Sequence, residues 1–197
     1  MCTEPTILHL ASASPRRREL LEQIGVAVQV VNCAVDEQVL QDEPASAYVQ
    51  RVTRAKVLAG VAQAPAGAVV LAADTAVVLD EQILGKPTGR EEALGMLRSL
   101  SGREHEVMTA VAVARGTDVR LQQVTTRVRF RSLSEGEIAA YWDSGEPRDK
   151  AGSYGIQGLG AVFVAHLAGS YSAVVGLPLM ETASLLAGFG IRCWQSR

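Results

Sequence analysis

Lysine is scarce in this chain. Of 197 residues only Lys56, Lys86 and Lys150 are lysine, and arginine supplies the remaining positive charge. A general bias toward arginine explains that scarcity as well as a functional constraint does, so the positions of the three lysines matter more than their number. Cysteine is equally sparse. Cys2, Cys33 and Cys193 are odd in number, far apart, and form no CxxC pair, which argues against a disulfide framework or a zinc knuckle. No apolar run reaches the ~18 residues of a membrane span. The N-terminus also lacks the basic region and apolar stretch of a signal peptide, so the expectation is a protein of the reducing cytoplasm, with no membrane partner. A large excess of one charge is absent too. A formal net charge of −2 gives no reason to expect a long polyanion such as nucleic acid, although a small anion needs only a local cluster of cations. Two common phosphate motifs are missing. Gly85-Lys86-Pro87 lacks the spacing and the following Ser or Thr of a Walker A loop, and no GxGxxG opens a helix after a strand.

What is present reads as an ordinary globular chain: 48% of residues are apolar and 20% charged, enough for one core or for two lobes sharing one. Thr6 to Ala11 predicts a short buried strand. Ser14 and Pro15 then fit the N-cap and first position of a helix, with Leu20, Leu21 and Ile24 as its apolar face and Gly25 as its stop. Val26 to Val31 predicts a second strand, and Ala45 to Gln63 a helix. Ala68 to Leu79 is a β-branched run interrupted by Asp74-Thr75. A turn at Asp80-Glu81-Gln82 returns it through Ile83-Leu84. Thr88-Gly89-Arg90-Glu91 and Ser134-Glu135-Gly136-Glu137 fit capping boxes for helices ending near Ser101-Gly102 and Trp142. Val107 to Ala114 and Gln122 to Phe130 predict strands. So do Ala161 to Leu167 and Tyr171 to Val175, which follow a glycine-rich segment from Gly145 to Gly160. A last helix runs from about Leu177-Pro178 to Leu186. Interleaved strands and helices, with hairpins among them, predict a mixed sheet in an α/β architecture. No repeat or linker divides the chain, so residues 1–197 read as a single domain.

The most informative stretch is Ser12-Ala13-Ser14-Pro15-Arg16-Arg17-Arg18. A helix N-terminus already carries roughly half a positive charge, and each further cation there costs ~0.3–1 kcal/mol in isolation. An anion held by the free N–H groups and guanidinium forks removes that cost, so the pattern favours phosphate binding over a solvated basic patch. Lys56 lies on or beside the apolar stripe of its helix, with Val49, Val52 and Ala59. It either snorkels or reaches into a cleft. Asp74 interrupts a buried strand, where an unpaired carboxylate is expensive. Lys86 is a candidate partner in a structural ion pair. The alternative makes Asp74 a metal ligand or the base that activates water, with the loop carboxylate Glu37 beside it. From Asp149 to Gly158 the glycines allow close approach to a ligand. Gln157 there can donate and accept at once, which suits the edge of a nucleobase; a plain glycine-rich turn is the other reading.

Taken in order, Leu10-Ala11-Ser12-Ala13-Ser14-Pro15-Arg16-Arg17 with Glu19-Leu20-Leu21, then Ala73-Asp74-Thr75, Gly85-Lys86-Pro87 and Lys150 to Gly158 resemble the motifs of the Maf family of nucleoside triphosphate pyrophosphatases. The resemblance runs from about Ile7 to the last helix. It implies a mixed, strongly twisted sheet flanked by helices, with two lobes around a central cleft as in the Maf and ITPase-like folds. It also implies dependence on a divalent cation (Mg2+ or Mn2+), frequent dimers, and a role in removing non-standard or excess nucleotides. Carried onto this sequence, Asp74 matches the catalytic base and, with Glu37, the acidic pair at the metal. Arg16, Arg17, Lys56 and Lys86 match the cations that handle the phosphates, Ser12 is a further substrate-binding position, and Arg16, Thr75 and Gln157 match positions tied to substrate choice. Asp74-Thr75 with Tyr154-Gly155-Ile156-Gln157-Gly158 resembles the branch acting on dTTP and UTP. The branch acting on 7-methyl-GTP carries Asp-Gln and a loop glutamate instead. Ala13, where glycine or asparagine is frequent, is a departure. A rival reading keeps the basic cluster but makes the protein a non-catalytic nucleotide-binding regulator of septum formation, which would have no need for Asp74 and Glu37.

Overall fold

The computed structural model describes residues 7–194; Cys2 and the expected strand start at Thr6 lie outside them. Strands β1 (Leu8–Leu10), β2 (Val28–Val30), β3 (Val69–Leu79), β4 (Gln82–Leu84), β5 (Glu104–Arg115), β6 (Asp118–Phe130) and β7 (Val164–Ala168) form one mixed sheet. Its order is β2-β1-β3-β5-β6-β7, with β4 also paired to β3. The β1–β2 and β1–β3 pairs are parallel, and all the other pairs are antiparallel. Helices are α1 (Pro15–Gln23), α2 (Ala45–Gln63), α3 (Arg90–Leu100), α4 (Glu135–Asp143), α5 (Tyr171–Val175) and α6 (Leu179–Gly188).

Strand β3 organises the molecule because it is buried on both faces. Side chains alternate across a strand. Val69, Leu71, Ala73, Val77 and Leu79 therefore join the main core with Leu20 and Leu21 of α1, Leu94, Leu97 and Leu100 of α3, Ile138 of α4 and Leu186 of α6. Val70 and Ala72 face the other way, against Val57 of α2 and Ala112 and Ala114 of β5. Each fully buried Leu or Val contributes roughly 1.5–3 kcal/mol, so both faces hold β3 straight along its length. Gly60 lets α2 approach: a Cβ there would lie 2.7 Å from the Cβ of Ala11 and 2.8 Å from Cγ1 of Val70.

The lengths of the strands create an opening. On one edge β3 pairs with β5 without interruption from Val70 to Val78. On its other edge β1 covers only Val69 to Leu71 and β4 only Val77 to Leu79. Residues 72–76 face no strand there. Asp74 and Thr75 sit in the middle of that gap.

Most expected elements are present, and the differences have local causes. Ser134 forms its capping box with Glu137. Thr88 does not: its amide and hydroxyl reach Glu92 rather than Glu91, and Gly89 is the N-cap. Ser14 holds the N-cap position but its side chain makes no cap bond. Strands β5 and β6 are longer than expected because they pair from Glu104 to Arg115 along their whole length. Residues Leu159–Phe163 form a 3-10 turn, so β7 starts only at Val164. Tyr171–Val175, expected as a strand, is helical. Ser170 caps it by accepting from the amide of Ala173, and Gly176 ends it at φ 133°. A five-residue, mostly apolar segment is too short to show a period that separates strand from helix, and the cap decides.

Candidate active site

The gap beside β3 opens into a cleft of about 720 Å3, within the size range of small-molecule sites. One wall is the segment Ala11 to Arg17 between β1 and α1. The floor is Asp74 to Val77. Leu84 at the end of β4, with Gly85 and Lys86 after it, closes the far end together with Asp149 to Ala151 and Tyr154 to Ile156. Val174 to Gly176 and the α2 side chains Tyr48 and Lys56 complete it. Five cations (Arg16, Arg17, Lys56, Lys86, Lys150) and three carboxylates (Glu37, Asp74, Asp149) line it, so a chain of net charge −2 presents a locally positive surface here. Such a surface selects a small anion.

Asp74 is only 6% exposed. It points to the α2 side of the sheet, where Lys56 Nζ donates to its Oδ1 at 2.8 Å. The same ammonium lies 3.0 Å from Glu37 Oε1. Lys56 therefore reaches into the cleft rather than snorkelling out. It, and not Lys86, is the partner of Asp74: β4 carries Lys86 to the opposite end of the opening. Among the described residues no carboxylate stands within ion-pair distance of Lys86, which is exposed. Glu37 sits on an exposed loop and its carbonyl accepts from Tyr48 Oη at 3.2 Å. Burial, then the charges of Asp74 and Glu37, push the Tyr48 hydroxyl up to about 12, so it remains a donor at neutral pH.

Thr75 points to the other face, toward α1 and α5. There Arg17 is pinned from three directions. Its Nε donates to the Gly176 carbonyl at 2.9 Å, one terminal nitrogen to Ser12 Oγ at 3.0 Å, and the other to Thr75 Oγ1 at 3.4 Å. Burial lowers the Arg17 pKa and Asp74 pulls it back up, while Arg16 lowers it further; guanidinium stays charged regardless. Ser12 Oγ accepts from Arg17 and from the Ser14 amide at 3.3 Å. Its own proton has no acceptor among the described residues, so it is available to a ligand. Arg16 is half-buried and stands 3.8 Å from Asp149 Oδ2. Lys150 is tied to the Glu146 carbonyl at 2.6 Å and Asp149 Oδ1 at 2.8 Å.

Of the residues singled out from sequence, Ser12, Arg16, Arg17, Glu37, Lys56, Asp74, Thr75 and Lys86 all line the one cleft. Gln157 does not. It is exposed, and the loop contributes Gly155 and Ile156 to the wall instead. The residues that hold this loop are invisible to sequence reasoning. Glu146 accepts from Tyr141 Oη at 2.7 Å and from the amides of Leu159 at 2.8 Å and Gly160 at 3.1 Å. The Gly155 amide donates to the same Tyr141 Oη at 3.0 Å. Backbone partners leave no trace in composition. The glycines hint at them, since a Cβ at Gly158 would lie 2.2 Å from Glu146 Oε2 and one at Gly160 2.8 Å from Tyr141 Oη. Cys33, which lines the cleft, and Thr109, which stands behind Thr75, were likewise not legible from sequence.

Asp74 and Glu37 converge on a single cationic nitrogen, so their oxygens can share a cation. Among the described residues no group of three or more His, Cys, Asp or Glu side chains forms a metal cage. Two carboxylates without such a cage suit a hard ion that completes its shell with water and phosphate oxygens, as Mg2+ does.

The chain is similar to known proteins over nearly its whole length. The family model described as Maf-like protein matches residues 7–189. A dTTP/UTP pyrophosphatase of Pectobacterium atrosepticum is 55% identical over 93% of this chain and 93% of its own length. One from Methylococcus capsulatus is 54% identical over 97% and 95%. Among solved structures, a nucleoside-triphosphatase / dITP/XTP pyrophosphatase from Mycobacterium abscessus aligns over 93% of this chain and 96% of its own, at 15% identity and a TM-score of 0.45, a distant likeness.

Proposed function

The chain belongs to the Maf family, and from that premise we propose that its cleft hydrolyses dTTP and UTP to the monophosphate and pyrophosphate, clearing excess or non-standard pyrimidine nucleotides. The observation that supports this best is the Lys56 ammonium joined to two carboxylates, 2.8 Å from Asp74 and 3.0 Å from Glu37, inside a cationic cleft. A site built only to bind a polyanion gains nothing from two carboxylates, which repel it. A site that must activate water and neutralise phosphate oxygens needs both kinds of charge. That asymmetry favours an enzyme over a non-catalytic regulator.

In the reaction a water oxygen adds to the α-phosphorus and the bond from that phosphorus to the bridging oxygen breaks. Pyrophosphate leaves, and the water's proton passes to Asp74, acting as general base. Lys56 holds the Asp74 carboxylate in place for this. Arg16, Arg17 and Lys86 stabilise charge on the transferring and leaving phosphates, and Ser12 adds its free hydroxyl proton. A divalent cation held by Glu37 and Asp74 supplies Lewis-acid neutralisation of the phosphate oxygens when bound. Gln157, exposed on the loop whose Gly155 and Ile156 line the cleft, is assigned to read the imide edge of uracil or thymine.

The test is a panel of nucleoside triphosphates assayed for pyrophosphate release, with and without magnesium or manganese. Turnover confined to dTTP, UTP and related pyrimidines with metal supports the proposal. Binding without product, with metal present, overturns it in favour of the regulator.

A further inference from the structure

The two hydroxyl groups flanking Arg17 are not equivalent, and the difference can be read from proton counting. Thr109 on β5 is fully buried, and its Oγ1 donates to the Ala173 carbonyl of α5 at 2.7 Å. A hydroxyl has one proton. Thr109 has committed its own, so in its 3.1 Å contact with Thr75 Oγ1 it must accept, and Thr75 must donate. Thr75 has then spent its proton as well, and its Oγ1 is left as an acceptor for Arg17. The bonds run one way, from Arg17 through Thr75 and Thr109 to the Ala173 carbonyl. Aligned bonds of this kind reinforce one another in a low-dielectric interior. The same short helix α5 anchors Arg17 a second time, through the Gly176 carbonyl.

We infer that Thr109 is a positioning residue for Arg17, and that Thr75 acts on the substrate through Arg17 rather than by donating to it. This rests on the proposed nucleotide hydrolysis, because Arg17 is taken to face the phosphates. Ser12 is the contrasting case: its proton is uncommitted, so it contacts the ligand directly. The chain also explains why a threonine beside the catalytic Asp74 can influence substrate choice while pointing to the opposite face of the sheet from it.

The test uses the full-length protein and the analogue α,β-methylene-dTTP, which binds without turnover. Thr109→Val preserves shape but breaks the chain, leaving Arg17 on an unpolarised acceptor. Its affinity for the analogue should fall about fivefold, the scale of one hydrogen bond, and Thr109→Ser should restore it. In an Arg17→Lys background Thr109→Val should cause no further loss, since the cycle isolates coupling through Arg17. In the free protein, the Arg17 Nη protons, which reach Thr75, should exchange faster with solvent in Thr109→Val than in wild type. A Thr109→Val protein that melts earlier but keeps wild-type affinity and Arg17 exchange makes the role merely structural and overturns the inference. So does an affinity loss of equal size in the Arg17→Lys background. A wild-type protein that neither binds the analogue nor hydrolyses dTTP fails the functional proposal instead, and the exchange measurement then still decides on Thr109 and Arg17.

Discussion

Lys56 and Asp74 meet across the boundary between a helix and a strand, 2.8 Å apart, at the one stretch of β3 whose free edge no other strand covers. Both side chains are about nine-tenths buried. Their pairing is what allows a carboxylate to stand charged inside a sheet. Asp74→Asn should keep this geometry, because the amide oxygen still accepts from Lys56. Pyrophosphate release should drop by about 10²–10⁴, the usual worth of a general base, while the melting temperature stays within a few degrees. Near-wild-type rates would remove Asp74 from the mechanism.

Lys56→Met should be the more damaging change to the fold. It strands Asp74, and removing one partner of a buried pair is costlier than removing both. Because the pair opens onto a solvent-filled cleft, the expected loss is about 1–3 kcal/mol in urea denaturation. The double variant Lys56→Met, Asp74→Asn should recover much of it. Equal losses in single and double variants would show that the pair is not coupled.

The loop from Gly155 to Gly160 should depend on Glu146. Burial on its own would raise the pKa of this carboxyl, but bonds from the Leu159 and Gly160 amides and the Tyr141 hydroxyl bring it below its ordinary value. A depressed carboxyl stabilises the fold above its unfolded pKa of about 4.3, and that stability is lost as pH falls through the native value. In Glu146→Ala the amides of Leu159 and Gly160 should exchange quickly at every pH, and KM for dTTP should rise several-fold with little change in kcat. Unaltered exchange at these two amides would refute the anchoring role.

Substrate choice gives a separate readout on the same loop. Gln157→Glu replaces a group that both donates and accepts with one that only accepts. Activity on dTTP and UTP should fall about tenfold or more relative to purine triphosphates, since a site that pairs a polar edge discriminates strongly against a mismatch. An unchanged substrate profile would mean that the exposed Gln157 stays outside the site throughout.

His105, one contact behind the cleft wall through Tyr154, offers a pH test of stability. It is 3% exposed, bonded to Tyr154 Oη at 2.9 Å and packed edge-on to Phe130. Burial pushes its pKa down from 6.5 to about 4. Between those values the unfolded chain binds a proton that the native state does not, so stability falls as pH drops from 6.5 to about 4 and levels off below. The expected contribution is about 3 kcal/mol over that window. His105→Gln, which can still meet Tyr154, should flatten the dependence. A persistent slope would assign it to other groups.

The sequence carried the ordered motifs and their chemistry because those signals are local. Three arginines at a helix start, an aspartate in an apolar strand and a glycine-rich loop each violate a local rule, and a violated rule marks function. Elements with a local mark were legible for the same reason, α4 through its capping box and β3 through its long β-branched run. Tyr171–Val175 was not, since five mostly apolar residues fit either a strand or a helix until Ser170 and Gly176 bound them.

What the linear order of residues settled by itself was the inventory: which charges and hydroxyls the site would use, and that β3 would run through a core. Tertiary structure alone decided the pairings. Whether Asp74 met Lys56 or Lys86, whether Thr75 kept its proton, and which carboxylate held the loop all depend on contacts between segments far apart in the chain. Such contacts form only when strands of unequal length are laid side by side. The uncovered stretch of β3 between β1 and β4 belongs to none of the three strands individually, and it is there that the cleft opens.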